Sequence, residues 1–212
     1  MFTMMQSKPH SARKRIVSHL YSKSHLQSSP GLAAVGSEVL YNRLLKNLTS
    51  AAKLSQSIDI FKILNATTMD FVSGYQFGLS NSTNFSMDTK ACDRFLYLYH
   101  CRHSYSFWYQ EIPGITNMLA KLGIRLVPKF VDSANQDLEL MVLELCDKAA
   151  LQLGSDKGRA ENGGMRAEGK YPEVYAQLSS AFPEGKKTGV KKQDTKPQDM
   201  ARLTVASELM DQ

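Results

Sequence analysis

The stretch Thr68-Met-Asp-Phe-Val-Ser-Gly-Tyr-Gln-Phe-Gly78 ends a helix and shows why it ends. Ile60, Ile63, Leu64, Thr67, Phe71 and Tyr75 recur at helical spacing, which predicts a helix from about Ser57 to Phe77 with those positions inward. Gly78 supplies the left-handed residue that closes such a helix without a Cβ penalty. Asp70, inside the stretch, has no second carboxylate or histidine at helical spacing. It therefore reads as a structural hydrogen-bonding group rather than a catalytic acid.

The same logic extends in both directions. Ser7-Lys8-Pro9 starts a helix with Ile16, Val17, Leu20 and Tyr21 on one stripe. Ser29-Pro30 starts the next, with Leu32, Val35, Val39, Leu40, Leu44, Leu45 and Leu48 inward. Asp88 caps a helix carrying Cys92, Phe95, Leu96, Leu98 and Tyr99. An irregular aromatic stretch from Tyr105 to Gly114 precedes a short amphipathic piece, Asn117 to Leu126. Asp132 or Ser133 opens a long helix through Leu138, Met141, Val142, Leu145, Cys146, Ala149 and Leu153, closed by Gly154. Residues 154–170 and 183–197 read as flexible loops, separated by a short helix from Tyr171-Pro172 to Phe182. A last helix begins near Gln198 and is still under way at Gln212. No segment alternates with period two, so the expected class is all-α.

Composition narrows the function classes. The 212 residues carry 26 basic and 20 acidic side chains, a net +6, and 42% are hydrophobic, which excludes a collagen-like, disulfide-miniprotein or fully disordered chain. No apolar run reaches the ~18 to 20 residues of a membrane span, and Met1 to His10 has no signal-peptide core. Cys92, Cys101 and Cys146 have no CxxC spacing, as suits a reducing compartment. The sequons at Asn47, Asn65, Asn81 and Asn84 read as chance matches in the absence of such a signal. Charge is uneven: Lys8, Arg13, Lys14, Arg15 and Lys23 fall before the first acidic residue, Glu38. That cluster suits phosphates, an acidic membrane surface or ligand carboxylates, and equally a solvated helix face. Zinc-ligand spacing and aromatic RNA-binding motifs are lacking, so no nucleic-acid partner is expected. His100 and His103 lie one helical turn apart but lack further ligands at sensible spacing, so no metal site is expected.

The order of segments resembles the cytochrome P450 superfamily, in the style of its fungal members. His10-Ser-Ala-Arg-Lys-Arg-Ile-Val-Ser-His-Leu-Tyr-Ser22 looks like that family's helix C, and Thr68 to Gly78 looks like its helix E. Pro172-Glu-Val-Tyr-Ala-Gln-Leu178 resembles helix H, and Ala206-Ser-Glu-Leu-Met-Asp211 resembles the opening of helix I. The resemblance implies a single partial P450 domain over residues 1–212, helices C to H and the start of I, truncated at both ends. It further implies a parent heme-thiolate monooxygenase that oxidises a small apolar substrate with O2 and a reductase at the endoplasmic reticulum membrane.

Residue by residue, the resemblance matches His10 and Lys14 to the donors on the heme propionates, with Lys in place of the usual Arg. It places Tyr105, Phe107 and Trp108 at the roof of the substrate channel, and residues 105–126 at a possible membrane contact. The family's cysteine-ligand loop, its oxygen-activation segment and its membrane anchor are not matched. No catalytic residue is assigned, and the chain as it stands is expected neither to hold heme stably nor to turn over. The competing reading is a non-enzymatic α-helical module that binds a membrane or a partner protein.

Overall fold

A computed structural model describes Arg15, residues 18–161 and residues 169–181. Helices and their connections account for all of it, and among the described residues there is no strand. The fold class is all-α. The elements are α1 (Lys23–Ser28), α2 (Pro30–Ser37), a π-helical segment (Glu38–Leu45), α3 (Lys46–Lys53), α4 (Ile60–Phe77), α5 (Thr89–His103), α6 (Ser106–Gln110), α7 (Pro113–Lys121), α8 (Lys129–Glu161) and α9 (Glu173–Ala181). No described helix is long and apolar enough to cross a membrane.

Local chemistry sets most of the helix starts. Ser29 caps α2 by accepting from the Leu32 N–H at 3.1 Å, with Pro30 in the first turn. Asp59 and Asp88 cap α4 and α5, accepting from the N–H groups of Lys62 and Ala91. Gly78 ends α4 at φ +81°, ψ +150°, a region open only to glycine rather than the left-handed helical well. A Cβ there would overlap the carbonyl oxygen of Lys170, because the segment leading into α9 crosses at this point. Gly74, one turn earlier, lets α2 approach: its added Cβ would sit 3.0 Å from Val35.

Three clusters make up the core. The largest joins Tyr75 and Phe77 of α4, Val142 and Cys146 of α8, and Val174 and Leu178 of α9. A second joins Leu98 and Cys101 of α5 to Ala134 and Leu138 of α8, the most extensively packed helix pair among the described residues. The third gathers Ala66, Phe85 and Cys92 beneath Met69 and Phe95.

Several boundaries and faces differ from the sequence reading. Gly154 does not stop α8, which continues through it to Glu161. A glycine in a helix interior costs about 1 kcal/mol relative to alanine, too little by itself to end a helix that two core clusters hold from Ala134 to Leu153. The helix also opens earlier, at Lys129, immediately after Pro128. The aromatic stretch is not wholly irregular, since Ser106–Gln110 is helical. Leu40 and Leu45 are exposed rather than inward, because the π-helical segment takes more residues per turn and rotates the stripe. Ile60 and Leu64 are likewise more than half exposed; α4 buries Ala66, Thr67, Asp70, Ser73 and Gly74 instead. The expected first helix, the linker 183–197 and the last helix from Gln198 lie outside the described residues, apart from Arg15 and the turn at Ser18–Tyr21.

Candidate functional site

The site grows from the buried face of α4. Asp70 is fully buried, and its carboxylate collects four donors from two other segments. Thr83 Oγ1 donates to Oδ1 at 2.8 Å and the Phe85 N–H at 2.7 Å, while the Ser86 N–H donates to Oδ2 at 3.0 Å. Arg43, from the π-helical segment, approaches Oδ2 at 3.3 Å and also donates to the Thr83 carbonyl at 2.9 Å. A buried charge is tolerated when it is paired and its lone pairs are filled. Asp70 thus pins the loop after α4 back onto the helix.

That pinning shapes a cavity of about 130 Å³ between α4, α5 and α8. Its apolar wall includes Met69, Phe85, Phe95, Met141, Val142 and Leu145. Phe85 and Phe95 face each other with centroids 5.3 Å apart, and Tyr99 stacks beyond Phe95 at 6.1 Å. One wall is polar: Ser73 and Thr83 both line the space, their hydroxyl oxygens 2.8 Å apart. Arg102, half-buried, and Glu144, exposed, also line it and mark the side nearest solvent. A mostly apolar concavity with a few convergent polar groups is the usual form of a small-molecule site.

Of the residues singled out from sequence, Tyr105, Phe107 and Trp108 lie away from this cavity. His10 and Lys14 fall outside the described residues. Tyr105 packs edge-on against Phe130 with centroids 5.9 Å apart, and Phe107 meets Trp108 edge-on at 5.6 Å. Thr116 Oγ1 donates to the Trp108 carbonyl at 2.7 Å, tying α6 to α7. None of the three aromatics is among the residues lining the cavity. Phe107 is 56% exposed.

The sequence reading missed Met69, Ser73, Thr83 and Phe85 as site residues. The signal was present in the small and polar run Asp70, Ser73 and Gly74 on one face of α4, a face with no reason to be inward unless something polar meets it.

Cys92, Cys101 and Cys146 are outside any disulfide and buried within helices, and burial pushes the Cys92 thiol above its ordinary value. Burial, with Arg102 and His100 nearby, holds His103 below the ordinary imidazole range. No group of three or more His, Cys, Asp or Glu is arranged to hold a metal ion among the described residues.

Against known proteins, the chain is 32% identical over 114 residues to the cytochrome P450 monooxygenase avaI of Aspergillus versicolor. The matched stretch is 54% of this chain and 26% of that protein, so the chain spans about a quarter of that relative's length. Neither a family model nor a solved structure matches. The match supports a P450 relationship, weakly and over part of the chain, and nothing finer. Such a relationship implies heme in the complete enzyme. The described residues do not fit that group: each cysteine is buried inside a helix, without the open thiolate loop that axial ligation needs.

Proposed function

We propose that this chain is a helical part of a heme-thiolate monooxygenase related to cytochrome P450. The parent enzyme would oxidise a small apolar substrate with O2 and electrons from a reductase, while this chain alone is not competent for turnover. The observation that carries the reading is the 32% identity over 114 residues to a fungal P450 monooxygenase. The all-α class and the succession of helices are compatible with the segment from helix C to helix H that the sequence resembles.

Within that proposal His10 and Lys14 hold the heme propionates, and Lys23 with the other basic residues nearby steers an acidic reductase. Tyr105, Phe107 and Trp108 belong to the roof of the substrate channel. The parent enzyme would sit at the endoplasmic reticulum membrane. The test is to read the transcript beyond the Gln212 codon and express the longest frame. An Ala-Gly-x-Asp/Glu-Thr segment followed by a cysteine-ligand loop is expected. So is the red-shifted Soret band of a reduced, carbon monoxide-bound thiolate heme. A stop codon with neither motif nearby would overturn it.

A second reading has its own observation. Phe107, Ile115, Met118, Leu122 and Ile124 are each at least half exposed along α6, α7 and the loop that follows, with Lys121 on the same element. Exposed apolar side chains beside basic ones suit the interface of a membrane. On this reading the chain is a non-enzymatic binding module. Co-sedimentation with anionic vesicles, abolished by Met118→Asp together with Leu122→Asp in a frame lacking the heme-binding motifs, would support it.

A further inference from the structure

We propose that the cavity between α4, α5 and α8 binds a single-ring aromatic molecule carrying one hydrogen-bond donor, a ligand of the phenol class. The inference rests on the cavity alone and does not depend on heme or on the monooxygenase reading. Size comes first. The space is about 130 Å³, close to the ~150 Å³ apolar cavity that accepts benzene. That is room for one ring.

The walls favour an aromatic occupant. Phe85 and Phe95 are tilted by 37° to each other, and an occupant ring can meet them in the offset or edge-to-face arrangements that aromatic pairs favour. Met69 and Met141 contribute flexible, polarisable thioethers, which adapt to a ring and make favourable sulfur–aromatic contacts.

The polar wall sets the donor requirement by a count of protons. A threonine hydroxyl has one proton, and Thr83 gives its proton to the Asp70 carboxylate, which accepts only. The Thr83 N–H already occupies a lone pair of Ser73 Oγ at 3.0 Å. The single Ser73 proton goes to Thr83 Oγ1 at 2.8 Å or to the Asp70 carbonyl at 3.3 Å. Every proton on this wall is committed within the protein, so what remains toward the cavity is acceptor capacity. A ligand O–H or N–H is rewarded there. On this wall a ligand that only accepts finds no donor, and an anion placed against it meets acceptors with the Asp70 carboxylate behind them; the donors of Tyr99 and Arg102 belong to the rest of the lining.

The experiment titrates the folded chain with phenol and, separately, with toluene, which has nearly the same shape and no donor. Binding is followed by ligand-induced shifts in amide spectra, with nuclear Overhauser contacts used to locate the ring. The expected result is saturable one-to-one binding of phenol, at least fivefold tighter than toluene. Overhauser contacts should run from the ring to the methyl groups of Met69 and Met141, and binding should be lost in Met141→Trp, which fills the space. Absence of saturable phenol binding, toluene binding as tightly, or contacts located elsewhere would each overturn the proposal. Unchanged phenol affinity in a folded Met141→Trp protein would do the same. Should that variant not fold, the Overhauser contacts in the unaltered protein decide alone. Failure here leaves the monooxygenase reading to its own transcript and spectral test.

Discussion

Replacing Asp70 by alanine removes one carboxylate and strands groups on two other segments. The Phe85 and Ser86 N–H groups lose their acceptor in a buried setting, and Thr83 loses its partner. Each stranded buried donor costs roughly 1 to 3 kcal/mol. Arg43 is 12% exposed and keeps the Thr83 carbonyl at 2.9 Å, so part of its loss is offset. Breaking a buried pair from one side typically costs ~3 to 5 kcal/mol, and that range is expected here. Against a total of ~5 to 15 kcal/mol, this is a large fraction. Followed by far-UV circular dichroism in urea, the midpoint should fall by about 1 to 2.5 M for a slope of ~2 to 3 kcal/mol per M. Arg43→Met combined with Asp70→Asn should cost at least ~1 kcal/mol less than the sum of the single changes, because the two groups share one network. An Asp70→Ala protein within about 1 kcal/mol of the parent, or strictly additive changes, would refute the reasoning.

Three other outcomes follow from the geometry. The Tyr75 hydroxyl donates to the Leu20 carbonyl at 2.7 Å, and burial, with Glu173 and Tyr21 nearby, pushes it up from 10.0 to about 12. The folded state holds this proton more tightly than the unfolded one, so the stabilisation is full below about pH 10 and is lost as pH rises through about 12. Melting temperatures across that window should therefore fall more steeply for the parent than for Tyr75→Phe. All three cysteines are buried, so a thiol reagent such as DTNB should react slowly with the folded chain and titrate three thiols after denaturation. Two glycines should move stability in opposite directions in thermal melts. Gly154→Ala, in an open helix interior where an added Cβ meets nothing, should stabilise by about 1 kcal/mol. Gly78→Ala, at φ +81° against the Lys170 carbonyl, should destabilise by at least ~1 to 3 kcal/mol.

What sequence alone determined about this chain is the part governed by local chemistry. Ser29, Asp59 and Asp88 each satisfy N–H groups within three residues of themselves, and Gly78 takes a conformation that no side chain tolerates. The all-α class follows from spacing, which one dimension shows. Asp70 was legible as a structural group because no catalytic partner lies on its helix. Its actual partners, Thr83, Phe85 and Ser86, lie 13 to 16 residues away and reach it only because the loop folds back. Gly154 misled because the cost of one glycine is local while the packing of α8 against α5 and α9 is not. The outward turn of Leu40 and Leu45 needed the π-helical segment, and the exposure of Ile60 and Leu64 needed the neighbours of α4. The cavity is the extreme case. Its walls come from three helices and a loop, and the committed protons of Ser73 and Thr83 exist only once those elements meet. Propensity acts between near neighbours, whereas a binding surface is made by residues that only tertiary packing brings together.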